Sequence, residues 1–182
     1  IPLHGAEPQV HLVFQAEAQG VHQRDARLQL ESGLEKELDQ HAARRGPERS
    51  AVRHGEDVLG WEELAQRALR RAHALAGLGV GQGDRVVLVS ENRPEWCLAD
   101  LAIMAAGCIT VPAYITNTER DHLHILENCG ASAVIVSDAK LAKSLLPAIL
   151  RSNPTEHVIS FEPLRQLQSG TSTIHDWADL LK

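Results

Sequence analysis

The sequence predicts an α/β domain with a largely parallel sheet and helices on both faces. Three observations carry that prediction. Arg85–Val89 ends in four consecutive apolar residues, three of them valine, the composition of a parallel strand buried on both faces. From there to Phe161, short apolar runs alternate with segments whose apolar residues recur at steps of three and four, giving four strands separated by three helices. The links between these elements are short, which favours right-handed β-α-β crossovers.

Residues 1 to about 30 mix Gln, His and charged residues with no sustained period, and read as an N-terminal arm with at most a short helix; residues 31–182 form the domain. A helix near Leu34–Arg45 is stopped by Gly46-Pro47. Ser50–His54 and Val58–Leu59 read as two short strands joined by a turn at Gly55-Glu56-Asp57. Glu62–Leu78 is helical, with Leu64, Ala68, Ala72, Leu75 and Leu78 on one stripe. After the Arg85–Val89 strand comes helix Glu95–Ala106, capped by Asn92 or Arg93, with Pro94 in a first turn where a missing N–H costs little. Strand Cys108–Val111 leads to helix Glu119–Asn128, which Thr118 caps, with Asp121 in its first turn and Gly130 left-handed just past its end. Strand Ala133–Val136, helix Lys140–Leu150 (kinked or split at Pro147) and strand His157–Phe161 follow. The last twenty residues read as loop plus one short helix around Asp176–Leu181.

Helix Glu95–Ala106 carries only Glu95 and Asp100 as charges, and an all-round apolar helix in such a fold is a buried one. Trp96, Ala99, Ile103 and Ala106 should face the sheet, with Trp96 buried, while Ala102, Ala105 and Gly107 let neighbours approach closely. Four strands and three helices can hardly surround such a helix. The expectation is therefore that the isolated chain leaves apolar surface uncovered there.

At 182 residues the chain holds one domain with a real core. A formal charge of −6 argues against nucleic acid as a partner, because phosphate binding is driven by basic surface. Cys97, Cys108 and Cys129 lack paired spacing and read as reduced core thiols, which suits a cytoplasmic location. The longest nearly apolar run, Leu101–Ile115, falls short of the ~20 residues of a spanning helix. The first residues lack the basic-then-apolar order of a signal peptide, and the missing initiator Met is expected to mark a trimmed chain or a fragment, with processing as the alternative.

Several motifs invite function and are better read as structure. The glycines of Gly79-Val-Gly81-Gln-Gly83 end a helix and precede a strand, the reverse of a dinucleotide fingerprint, so they read as a C-cap and tight turn into Asp84-Arg85. Ser169–Thr173 resembles a phosphate loop in composition but lacks its second glycine and lysine; it reads as a surface linker. His122 and His124, two apart on a helix, point roughly 200° apart, so they do not make a metal pair and read as solvated helix residues. Cys129 near a helix C-terminus sits in a field that disfavours thiolate, and reads as inert. No residue set suggests a metal site.

Three segments, in order, then resemble the N-terminal part of the AMP-forming acyl-CoA synthetases, members of the adenylate-forming ligase superfamily. Leu59-Gly-Trp-Glu-Glu-Leu64 is similar to the family's first core motif, Leu78–Arg85 looks like its Gly-Asp-Arg turn, and Ala106–Tyr114 resembles its second core motif. Glu91–Trp96, Tyr114–Thr118 and His124–Ala131 are similar to the long-chain fatty acid branch, which has Ser where this chain has Cys129. The resemblance covers about Leu34 to Lys182. It implies the incomplete N-terminal part of the adenylate-forming large domain, truncated before the phosphate loop. It implies a parent long-chain fatty acid–CoA ligase that uses ATP and Mg2+ to form an acyl-adenylate, which CoA then attacks. Fatty acid, CoA and the remainder of the same polypeptide are the implied partners, with peripheral membrane contact a secondary expectation. The reacting residues of that chemistry have no counterpart here, so no catalytic residue is assigned and the chain alone is expected to be inactive and to bind none of these cofactors tightly.

Polar residues at strand C-termini, Ser90, Glu91 and Asn92 and then Thr116 and Asn117, lie where open α/β sheets place ligands. Asn117 and Thr118 are the candidate substrate-binding residues, against the plainer reading of all these as caps and turn formers. Two rivals remain. One is a standalone non-catalytic α/β binding or scaffold module derived from this fold; the other is a flavodoxin-like nucleotide binder, weakened by the inverted glycine order.

Overall fold

A computed structural model of the chain describes residues 36–37, 40–46, 49–152, 155–164 and 172–181. The N-terminal arm and residues 169–171 of the expected surface linker lie outside them, and its last two residues, Ser172 and Thr173, are a buried residue and the start of a strand. Residues 40–45 are helical, and Gly46 leaves the helix with φ +90°. A two-stranded antiparallel hairpin follows, β1 (Ser50–His54) and β2 (Asp57–Gly60). Helix α1 (Trp61–Gly77) carries its buried stripe on Leu64, Ala65, Ala68, Ala72 and Leu75, as the spacing predicts.

The centre is a five-stranded, wholly parallel sheet in the order β4-β3-β5-β6-β7. Its strands are β3 (Arg85–Val89), β4 (Ile109–Ala113), β5 (Ala133–Val136), β6 (His157–Ser160) and β7 (Thr173–Asp176). Helices α2 (Pro94–Ala105), α3 (Glu119–Cys129) and α4 (Ala139–Arg151) connect them, and a 3-10 turn at Asp179–Leu181 packs on α1.

Strand alternation divides the core in two. Val86, Leu88, Ala133, Ile135 and Ile159 face α1 and α2. Val87, Val89, Val134, Val136 and Val158 face α3 and α4. The predicted α/β class and its helix-covered faces are what the structure shows.

Four expectations are corrected. The C-terminal stretch is not loop up to its last helix: Thr173–Asp176 is a fifth strand, paired with β6, and Ser172 is buried with its hydroxyl donating to Thr155 O at 2.7 Å. A four-residue strand, Thr173-Ile-His-Asp176, with one apolar residue has no apolar signature; the β6 edge beside it makes it one. Helix α4 runs through Pro147 unbroken. The carbonyl that proline leaves without its helical donor is that of Lys143, an exposed residue, while Leu145, Leu146, Ala148 and Ile149 hold the helix to the sheet.

Strand β4 starts later and ends later than expected. Cys108 N–H still donates back to Ile103 O, at 3.0 Å, so the exit from α2 uses it. Ile109 N–H donates to Asp84 O at 2.7 Å, which points every second N–H toward β3 and leaves position 112 facing away. Pro112 therefore costs the ladder nothing. Helix α2, finally, has no fully exposed residue: α1, the hairpin, β3 and β4 cover it. Ala99 and Ile103 are fully buried beneath it, while Trp96 and Ala106 are only partly buried, packed against the same cluster.

Candidate functional site

The two edges of the sheet are built differently. At the N-terminal edge lies the glycine turn. Leu78 ends α1, Gly79 takes φ +88°, and its N–H and that of Val80 return to Ala76 O and Leu75 O. Gly81 N–H donates to the Asp84 carboxylate at 2.9 Å, and Gly83 N–H to Gly107 O at 2.9 Å. No glycine N–H of this turn is left for a phosphate, so the residues do not fit a nucleotide's phosphates. The turn reads as a bracket, as the inverted order implied.

Asp84 and Arg85 complete that bracket. Asp84 also accepts from the Ser132 hydroxyl at 3.0 Å, at the entry to β5. Arg85 donates to three carbonyls: Nε to Cys129 O and Nη2 to Gly130 O, each at 2.7 Å, and Nη1 to Gly83 O at 2.9 Å. The last carbonyls of α3 have no helical donors and carry its negative dipole end, so a guanidinium suits them. Gly130 sits at φ +60° against it, and a Cβ there would come within 3.1 Å of Arg85 Nη2. Sequence reasoning missed Arg85; an Arg directly opening a buried strand is the signal that was present.

The C-terminal edge is open. The connection from β3 leaves for the α2 face and that from the adjacent β4 for the α3 face. Because the two leave for opposite faces, a crevice lies outside the strand C-termini, the side on which open α/β sheets bind ligands, one strand removed from the point between β3 and β5 where the strand order reverses. A cleft of about 500 Å³ lies there. Ser90, Glu91, Asn92 and Trp96 line one side, and Pro112, Ala113, Tyr114 and Ile115 the other.

Its polar groups are mostly engaged inward. Ser90 Oγ donates to Glu91 O at 2.9 Å, and Ser137 Oγ, fully buried, donates to Glu91 Oε2 at 2.7 Å. Arg93 turns away from the cleft: it lies over the Phe161 ring and pairs with Glu95 at 2.9 Å and Glu162 at 3.1 Å, and those carboxylates, Glu95 first, hold its guanidinium above its ordinary pKa. Glu91 is the only carboxylate among the described residues lining the cleft, and none of them is cationic. This is a wall that can bind an apolar group and a hydrogen-bond donor. It has no nucleophile-base pair and no cation for developing phosphoryl charge, which phosphoryl and acyl transfer need.

The candidates Asn117 and Thr118 do not line the cleft. Asn117 is half-buried, its N–H donating to Tyr114 O at 3.1 Å. Thr118 caps α3: its hydroxyl accepts from Asp121 N, and the Asp121 carboxylate returns to Thr118 N–H at 2.9 Å and to the hydroxyl at 2.8 Å. Those bonds, led by the one from Thr118 N–H, hold the Asp121 carboxyl below its usual range. Thr116 is exposed. The structure thus brings Ser90, Glu91 and Asn92 together and leaves the other three on the α3 entry turn.

Two histidine findings correct or add to the sequence reading. His124 is exposed, but His122 is 1% exposed on the α3 stripe with Leu126, its Nδ1 without a partner, and burial pushes its pKa down. The spacing of four to Leu126 was the signal. His157 Nδ1 and His175 Nε2 lie 3.1 Å apart across β6 and β7. Burial, then His157, lowers the His175 pKa. Among the described residues no group of three or more His, Cys, Asp or Glu is placed to hold a metal. Burial raises the Cys129 thiol pKa, against a smaller opposing pull from Arg85.

An open, all-parallel sheet with helices on both faces and a cleft at its strand C-termini defines the class, an α/β domain. Comparison with known proteins makes the assignment particular. The family described as AMP-binding enzyme matches residues 38–179, and the chain belongs to that family of adenylate-forming ligases. It is similar to salicyl-AMP ligase / salicyl-S-ArCP synthetase of Mycobacterium tuberculosis, 35% identical over 127 residues, 65% of this chain and 22% of that protein. It is also similar to the long-chain-fatty-acid–CoA ligase of Salmonella typhimurium, 30% identical over 139 residues, 76% of this chain and 24% of that protein. Among solved structures, coronafacic acid ligase of Pectobacterium brasiliense superposes with a TM-score of 0.70 at 16% identity, covering 81% of this chain and 29% of that one, a likeness of fold. The chain therefore spans about a quarter of the length of such relatives.

Proposed function

We propose that this chain is the N-terminal structural part of an AMP-forming acid–thiol ligase of the long-chain fatty acid type. The observation that carries the reading is the family match over residues 38–179 laid on a fold whose own sites are structural. The glycine turn is closed to phosphate by its internal hydrogen bonds, and the open cleft has no cation. ATP, Mg2+ and CoA would be used by the whole enzyme and bound by residues outside those described. The long-chain choice over an aryl acid rests on Glu91–Trp96, Tyr114–Thr118 and His124–Ala131, and on the Salmonella relative aligning with 76% of this chain. A cytoplasmic enzyme meeting its substrate at a membrane surface is the accompanying proposal.

The test is acid-dependent ATP–pyrophosphate exchange. The polypeptide encoded by the whole reading frame should exchange with palmitate and weakly with salicylate, while the 182-residue chain should not exchange at all. Exchange by the 182-residue chain, or a salicylate preference in the whole polypeptide, would overturn the respective half of the proposal.

A further inference from the structure

Two histidines eighteen residues apart in the chain meet on the last two strands of the sheet. The parallel ladder sets His157 beside Thr173 and Ile159 beside His175. His157 and Ile159 are two apart on β6 and share a face, and Thr173 and His175 share the matching face of β7. That face is the one toward α1, since Ile159 belongs to the core packed there. Both rings are partly buried, and both stand on strands whose register the backbone ladder fixes.

The rings meet nitrogen to nitrogen. Their centroids are 5.2 Å apart and their planes are tilted by 49°, so they do not stack, while His157 Nδ1 and His175 Nε2 approach to 3.1 Å. Without a metal, one of these nitrogens carries a proton and donates it to the other. With the ring protons on His157 Nε2 and His175 Nδ1 instead, both facing nitrogens present lone pairs to one point. Neither outer nitrogen is left buried without a partner, so each can carry that proton.

Two nitrogens about 2.0–2.1 Å from one Zn2+-sized ion, and 3.1 Å from each other, subtend roughly 100° at it, an angle that tetrahedral and octahedral centres both accept. No carboxylate pairs with either ring among the described residues, so the donor set is imidazole alone. That chemistry selects Ni2+, Cu2+ and Zn2+ over Mg2+ and Ca2+, which take oxygen ligands.

We propose that His157 and His175 form a two-ligand chelate for a divalent transition ion, Ni2+, Cu2+ or Zn2+, whose other positions are filled by water. Two protein ligands make a weaker site than the three or four of resident zinc centres, and no third His, Cys, Asp or Glu is placed to join them among the described residues. The site therefore fills and empties with the metal supply. When filled, it clips β7, which pairs only with β6 among the described strands, to the interior of the sheet. The 3-10 turn that follows β7 and packs on α1 is held with it. This ion is distinct from the Mg2+ of the proposed ligase chemistry, and the site does not depend on that reading.

Ni2+ is the probe, with Mg2+ as the control. In thermal unfolding of the 182-residue chain, Ni2+ at about a hundred times its dissociation constant should raise the melting temperature by several degrees. Mg2+ at the same concentration should leave it unmoved. His157→Gln and His175→Gln should each remove the shift. The double variant should lose no more than either alone, because a chelate fails when one arm is gone. The chain has ten histidines, and independent surface sites would instead lose the shift in separate portions. A Co2+ titration of the unsubstituted chain, followed by NMR, keeps the test clear of variants that fold poorly. The His157 and His175 ring signals should broaden together and before those of any other histidine. Absence of a Ni2+ shift would make the contact a plain hydrogen bond and overturn the proposal. A shift that survives either substitution, or broadening that begins at another histidine, would overturn it as well.

Discussion

The N-terminal edge of the sheet spends its polar residues on itself, whereas the C-terminal edge leaves a cleft. At the first, Asp84 and Arg85 gather the glycine turn, the entry to β5 and the end of α3 through five hydrogen bonds of 2.7–3.0 Å. At the second, Ser90 and Ser137 satisfy Glu91, and the walls opposite are Pro112, Tyr114 and Ile115. Both edges carry polar residues at strand ends, so composition does not tell them apart. What separates them is direction. All five strands run the same way, the connections from β3 and β4 leave for opposite faces beyond their C-terminal ends, and a cleft lies there.

The contrast is broken most directly at Arg85. Arg85→Ala removes three charge-assisted hydrogen bonds, two of them from half-buried carbonyls, and should cost about 3 kcal/mol in urea unfolding. A cost near zero would mean that the N-terminal edge is no more built than the other. Trp96→Ala, on the cleft wall, should cost about 2 kcal/mol, at the low end for a large-to-small change because Trp96 is only partly buried. If it equals a full core deletion, the cleft is closed in solution.

Acid should act through histidine burial rather than through the cleft. His122 is buried with its pKa lowered, so the unfolded chain takes up its proton first. Its contribution is fully present above the ordinary histidine pKa of about 6.5 and is lost as pH falls from there toward the lowered folded value. The melting temperature should therefore decline below neutrality, and His122→Leu should flatten the decline, leaving the part due to His175, whose pKa is lowered too. An unchanged slope in His122→Leu would show that His122 hydrates in solution. Asn92→Ala is the mildest change: an exposed cleft residue with no structural bond should move stability by less than about 0.5 kcal/mol. A larger loss would mark Asn92 as part of the scaffold.

Much of this was legible in sequence because it depends on neighbours in the chain. The capping box at Thr118 and Asp121, the left-handed Gly130, Pro94 at the start of α2 and the stripe of α1 are all local, and each is where the spacing puts it. The cleft was half legible: Ser90, Glu91 and Asn92 could be placed at a strand end, but Tyr114 and Ile115 could not be paired with them, since only strand order puts β4 beside β3. Asn117 and Thr118 were drawn in by the same rule, and the structure puts Thr118 to work as a cap.

By itself, then, the sequence determined the α/β class, the alternation from β3 to β6 and the structural role of the glycine turn, because periodicity, caps and glycine placement act within a few residues. Tertiary structure alone decided the rest. The β6 edge made a strand of Thr173–Asp176, the sheet face held α4 straight through Pro147, and α4 together with β4 buried His122. It also decided that α1 and the hairpin cover α2. Each of these depends on which elements become neighbours in space, and burial, not local preference, sets the outcome there.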